Sequence, residues 1–414
     1  MAGDRQQSPG RWRTLSAAPH RLMFLGGVVQ MLVAVAWWGI ELTGRYTGAW
    51  GTTTAAVPAT WVHAYLMLYT LFPFFIFGFL MTTYPRWMAG PEVPRAAYIR
   101  AFVPMALGVV LFYAGAFWWR PLAVVGVGVH LLGLVLGFHA LWRVYAAVRG
   151  RAERYYETQI NFAFGCAIAG ELAYLVWLAG GSGLWLTVAL RTGFWLFLLP
   201  ILVVVAHRML PFFSVNALPD YRMVQPRWTL PLLWSGVGLH WALSLAGAGQ
   251  WLFVPDLALA AMGFYHSARW QFRRSLSVRL LAALHIAFLG FAVGMTLLGL
   301  QSLWWLVSGR LMFGFGPFHL LAIGFVMAMM VGMVTRVSLG HSGRPLVMSG
   351  YAWGCFLGVE LTALWRFLGG ALGLLPQAWW FNLAAAASWL LFLGAWAVRF
   401  GPFYWRPRVD GRPG

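Results

Sequence analysis

Residues 319–345 read HLLAIGFVMAMMVGMVTRVSLGHSGRP. A histidine opens an apolar run that leaves through Thr335-Arg336 and ends in the loop Gly340-His341-Ser342-Gly343-Arg344-Pro345. About 20 apolar residues in helical form cross the hydrocarbon core of a bilayer. A helix over 312–335 meets that length and sets His319 about eight residues inside it. Ionisable side chains at such depth are expensive to keep, and they mark functional positions by default. The reading of the chain therefore turns on what His319 meets.

Composition sets the class. The 414 residues are 61% hydrophobic and 9% charged, where soluble domains carry roughly a quarter charged residues. The chain is an all-α, polytopic membrane protein. Its net charge of +19 rests on arginine alone, since no lysine occurs. Those arginines sit between apolar runs, as cytoplasmic loops of membrane proteins require, and nucleic acid is not needed to explain them. Cys166 and Cys355 both fall inside apolar runs, and there is no CxxCH, CxxC ribbon or disulfide framework.

Twelve spans are expected, at about 22–41, 60–82, 99–118, 122–143, 160–178, 184–206, 229–246, 251–267, 280–300, 312–335, 350–368 and 378–398. With the N-terminus inside, the inner segments hold 24 arginines and the outer segments five: Arg45, Arg120, Arg191, Arg310 and Arg366. Both termini are thus expected in the cytoplasm. This gives a basic tail over 1–21, one transmembrane helical domain over 22–400 and a second basic tail over 401–414. Gly133 and Gly137 form a GxxxG in the fourth helix, a pattern that permits close helix approach. Helices 2 and 6 share a mid-span proline (Phe72-Pro73, Leu199-Pro200). Helices 2, 6 and 10 all end near an arginine, a spacing that suits three four-helix units. Chance similarity among apolar segments explains the same pattern.

Depth sorts the histidines. His319 and His341 are 22 residues apart, roughly 33 Å of helix at about 1.5 Å per residue, so they cannot share one ion. An outer group then contains His63 and His319, with His240 in reach. An inner group contains His285 and His341, with His207 or His266 in reach and Arg336 and Arg344 nearby. Two imidazoles from different helices, with no thiolate or carboxylate beside them, suit the two axial positions of a haem iron. Arg191 and Arg310 on the outer side are candidates to neutralise its propionates. His63 looks several ångströms shallower than His319, which requires a tilt or an earlier start of helix 2. For His130, His139, His240 and His266 the simpler reading is a hydrogen bond to a neighbouring helix, and His20 reads as a solvated tail residue. Glu171 and Glu360 are the mid-membrane acids, with no partner identifiable from sequence. The run Met327, Met329, Met330, Met333 offers soft copper ligands, although packing is the commoner role of methionine there.

Four stretches resemble the NnrS family of bacterial membrane proteins. They are His63-Ala64 through Met67-Leu68 with Gly78–Thr82; Arg208-Met209-Leu210-Pro211-Phe212-Phe213-Ser214; Leu284-His285; and His319 through Leu346. The resemblance implies a twelve-helix inner-membrane fold, bound haem and copper, and a role in nitric oxide metabolism and relief of nitrosative stress in denitrifying bacteria. It points to a b-type haem at His63 and His319, and to a separate inner polar site, a candidate for metal binding, at His285 and His341 with His207. The family pattern in helix 2 reads His-Ala-His-Glu-Met-Leu, whereas this chain has Tyr65 and Leu66 in place of the second histidine and the glutamate, which weakens the copper expectation. Haem-copper oxidases likewise place haem ligands on helices 2 and 10 of a twelve-helix subunit, an analogy of pattern that does not fix activity. The expected ligand is nitric oxide and the surrounding partner is lipid. A twelve-helix secondary transporter using Glu171, Glu360 and Arg191, or a haem-based sensor without turnover, are the competing readings.

Overall fold

A computed structural model describes residues 10–150, 153–373, 375 and 377–412. Arg5, Arg151 and the first nine residues of the expected N-terminal tail lie outside the described residues. Twelve long helices run α1 (Pro19–Thr47), α2 (Ala59–Trp87), α3 (Arg95–Trp118), α4 (Arg120–Ala147), α5 (Tyr155–Leu178), α6 (Gly183–Val215), α7 (Thr229–Leu245), α8 (Phe253–Arg269), α9 (Arg279–Ser308), α10 (Gly316–His341), α11 (Gly350–Ala371) and α12 (Trp379–Phe400). Among the described residues nine of these are long and apolar enough to cross a membrane; α7, α8 and α11 are outside that set. Each of the three nevertheless falls on an expected span, and α7 and α8 have 17 residues.

The helices are not equivalent in depth. In the most apolar stretch of α2, 89% of residues are buried; for α6 and α10 the figures are 78% and 72%, against 39% for α3 and α4 and 33% for α12. Helices 2, 6 and 10 are therefore the inner ones. Each also contains a wide π-helical stretch, at Leu66–Leu71, Thr192–Leu198 and Leu321–Met327. Proline explains two of the three. Pro73 and Pro200 lack an N–H and their rings crowd the carbonyl four residues back, so the preceding turn opens. In α10 Met329 occupies the corresponding place, and no proline accounts for the wide turn there. The likeness of helices 2, 6 and 10 thus has a structural counterpart that chance among apolar segments does not supply.

Close helix approach uses other glycines than the GxxxG pattern suggests. A Cβ on Gly133 would meet Met105 of α3, but one on Gly137 would meet the Phe77 ring of α2. The two face different neighbours. The α3–α4 seam is instead built from Gly108 and Gly115 on α3 and Gly126 and Gly133 on α4, each set against the partner's backbone. The run Met327, Met329, Met330, Met333 is buried in the core.

Gly126→Val would drive its side chain into the backbone nitrogen and Cα of Phe112, which no rotamer change relieves. The expected loss is at least about 1–3 kcal/mol of stability, the usual cost of overpacking. Gly128, two residues on and facing the other side of α4 with open space around it, should accept alanine with little change. Thermal unfolding of the detergent-solubilised variants checks both.

Candidate functional site

Helix starts remove the depth difference expected between His63 and His319. Pro58 precedes the first turn of α2 and Pro317 sits in the first turn of α10, both positions where the missing N–H costs nothing. His63 is the fifth residue of α2, and α10 begins at Gly316 and not near 312, so His319 is its fourth residue. The two histidines occupy matching positions at the entrance ends of two inner helices. They lie within electrostatic reach of each other, and Arg366 acts on both. Each keeps part of its surface accessible although its helix is mostly buried.

Second contacts orient the rings. His319 Nδ1 lies 2.9 Å from the Phe315 carbonyl, which fixes Nδ1 as the protonated nitrogen and leaves the Nε2 lone pair free. The His63 ring stacks on Trp38 with centroids 4.3 Å apart and planes 11° apart, and its Nδ1 is buried with no partner. Above Trp38, Arg45 lies 5.3 Å from the indole centroid and contacts Glu41 at 3.3 Å. Glu41 also gathers the loop before α2, accepting from Thr53 N at 2.8 Å, Thr53 Oγ1 at 2.7 Å and Thr52 Oγ1 at 3.1 Å. A cavity of about 480 Å³ opens there, walled by Glu41, Arg45, Trp50, Thr54, Ala59 and Thr60. Arg366 and Arg45 are the cations that act on His63. Arg191 and Arg310, which sequence placed in that role, are exposed, and neither is among the charges acting on the two rings.

The other outer and mid-membrane groups are held by polar neighbours, Glu360 excepted. Glu171 Oε1 accepts from Tyr65 Oη at 2.7 Å and lies 2.6 Å from His130 Nδ1, all three side chains being buried. Tyr65 thus answers to an acid on α5, while Leu66 packs in the core. His240 Nδ1 lies 2.6 Å from Asp256 Oδ1, under the ring of Trp195. Glu360 Oε1 is buried without a partner.

The inner group expected from sequence divides into three. His285 Nε2 lies 3.1 Å from Ser214 Oγ, and Arg336 covers the neighbouring Phe213 ring at 3.9 Å. His341 instead meets His20, centroids 4.4 Å apart, beside Arg21, Ser338 and Tyr404. His20 is not a solvated tail residue. It is 3% exposed, because α1 already begins at Pro19 and carries the ring beneath the C-terminal turn. Arg344 lies over Phe403 at 3.8 Å. His207 pairs with Tyr156 and His266. No ring contact or hydrogen bond joins these three places among the described residues, because His285 and His341 leave different helices toward different neighbours. Nor do three His, Cys, Asp or Glu side chains converge on one point among those residues.

Breaking the Tyr65–Glu171–His130 chain should cost most where a polar atom is stranded. Glu171→Leu leaves a buried hydroxyl and a buried imidazole nitrogen unpaired, an expected loss of about 1–3 kcal/mol per group. Tyr65→Phe leaves the Glu171–His130 contact intact and should cost less. Denaturant or thermal unfolding in detergent ranks the two.

Comparison with known proteins bears on the fold and the family. A haem-copper terminal oxidase, solved as a dimer by cryo-electron microscopy, superposes with a TM-score of 0.64 at 13% identity, over 95% of this chain and 86% of the oxidase chain. At that identity the likeness establishes the fold. Comparison with curated proteins gives no match. The four sequence stretches noted above lie within a single match that runs from residue 14 to residue 408, and by that match the chain belongs to the NnrS protein family.

Proposed function

We propose that this chain is a haem-binding protein of the bacterial cytoplasmic membrane that relieves nitrosative stress. In this reading all twelve long helices cross the bilayer, both termini are cytoplasmic, and the helices form three four-helix units, each with one of α2, α6 and α10 at its inner edge. The 24-to-5 division of arginines supports the orientation. The central place of α2, α6 and α10 supports the threefold grouping.

The observation that carries the proposal is the matched placement of His63 and His319. The residues fit a haem on three counts. The rings sit at the fifth and fourth residues of two inner helices, each has a nitrogen without a partner or free to bind, and among the described residues no cluster of three His, Cys, Asp or Glu side chains competes. His63 and His319 would supply the axial nitrogens. The Phe315 carbonyl holds His319 by its Nδ1–H, as second contacts of metal-bound imidazoles do, and so raises the basicity of Nε2. Trp38 fixes the plane of His63 by stacking. Arg366 and Arg45 place positive charge where the carboxylates of a bound haem would need it. A b-type haem held by these residues would supply one-electron transfer or a site for nitric oxide. The expected ligand is nitric oxide. Copper remains part of the family expectation, with Tyr65 and Leu66 standing where two of its candidate ligands would be.

An ultraviolet-visible spectrum of the purified protein, oxidised and dithionite-reduced, tests the haem. A sharp reduced α band in the wild type is expected to vanish in both His63→Ala and His319→Ala while the protein stays monodisperse. A colourless wild type, expressed with ample haem, sinks both this proposal and the haem-based sensor, and returns the chain to transport. Arg366→Gln removes a cation that stabilises an added electron, so the midpoint potential should fall. A redox titration in parallel with the wild type reads that shift.

A further inference from the structure

His207 and His266 are a buried histidine pair that the haem proposal does not use. His207, near the inner end of α6, has Nδ1 3.0 Å from Tyr156 Oη of α5, and its Nε2 is buried with no partner. His266, near the inner end of α8, has Nε2 2.9 Å from Thr229 Oγ1 at the start of α7, and its Nδ1 is buried with no partner. The residues are 2% and 0% exposed. Their ring centroids lie 5.4 Å apart with planes at 84°. Trp270 flanks both rings, and Trp228 stacks on His266. Gln225 pins the backbone beneath, donating to the His207 carbonyl at 2.9 Å.

Each imidazole therefore has one nitrogen committed to a hydroxyl and the other left bare in an apolar, aromatic surround. Whichever tautomer each ring adopts, it retains one unsatisfied nitrogen, and buried polar atoms are seldom left so. The same division of labour marks metal-bound histidine: one nitrogen ligates and the other donates to an outer acceptor. With a metal in place, His207 Nδ1–H would donate to Tyr156 Oη, and His266 Nε2–H to Thr229 Oγ1.

We propose that His207 and His266 form a two-coordinate binding site for a cuprous ion. Chemistry selects the metal. Zinc in proteins takes four ligands, and among the described residues no third His, Cys, Asp or Glu side chain joins these two. A site without carboxylate or thiolate also offers no negative charge, which makes a divalent ion costlier than a monovalent one in a buried setting. Copper(I) is soft, accepts imidazole and carries a single charge. The site lies on α6 and α8, and α6 enters it from the opposite end to the His63–His319 pair, so its occupancy does not depend on a haem there.

The experiment is an anaerobic titration of the full-length, detergent-purified protein with copper(I), in competition with bicinchoninate. The wild type should hold one equivalent against the chelator, with the X-ray absorption edge of a two-coordinate cuprous centre bound by nitrogen. His207→Asn and His266→Asn should each abolish it. Tyr156→Phe and Thr229→Val keep both ligands and remove only the outer contact. They should weaken copper(I) about 10–100-fold, and they carry the test if the histidine variants do not fold. No copper(I) retained by the wild type, copper retained undiminished in the variants, or preferential uptake of zinc would each overturn the assignment.

Discussion

Water is missing from most of this molecule, and that constraint organises its chemistry. In hydrocarbon a backbone or side-chain polar group without a partner costs several kcal/mol or displaces the segment that carries it. The chain meets the demand by pairing nearly every buried ionisable side chain with a specific neighbour. Glu171 is claimed by Tyr65 and His130, Asp256 by His240, His285 by Ser214, and Glu41 by two threonines and Arg45. Against that background the bare nitrogens stand out. Among the described residues His63 Nδ1, His130 Nε2, His207 Nε2 and His266 Nδ1 are buried without partners, and of these four rings only His130 has its other nitrogen on a carboxylate.

The inner helices convert this local rule into an architecture. Because α2, α6 and α10 are enclosed by their neighbours, polar groups on them can face protein on every side. Their wide turns each shift the register of the helix by about one residue, and such turns are frequent at functional sites. In α2 and α10 the wide turn begins within three residues of the histidine. In α2 that places His63 against Trp38 and Tyr65 against Glu171. In α6 the corresponding segment packs on α2, where Tyr69 donates to the Ala189 carbonyl at 2.6 Å. One helical geometry, used three times, presents histidine at two of its three positions.

The motifs that carry the family resemblance touch one another in space. Ser214 and Phe213, from the Arg-Met-Leu-Pro-Phe-Phe-Ser stretch, receive His285 and Arg336. Arg336 in turn belongs to the stretch that begins at His319. Stretches some 70 to 120 residues apart in sequence thus form one inner polar seam. His341, the last residue of α10, lies outside that seam and meets His20.

Hydropathy alone determined the class, the number and order of the long helices, and the rank of His63 and His319 among ten histidines, because burial in lipid leaves a direct mark on composition. It also marked helices 2, 6 and 10 as alike. Tertiary structure decided everything that depends on which way a helix is turned. An apolar run has the same composition on all its faces, so the sequence carried no signal that His130 faces Glu171, that His266 faces His207, or that Arg366 lies within electrostatic reach of both outer histidines. Helix starts were blurred for the same reason, since Leu311, Met312 and Phe313 are as apolar as the span they precede. Only packing fixed the first turn at Gly316, and with it the matching distances of His63 and His319 from their helix starts.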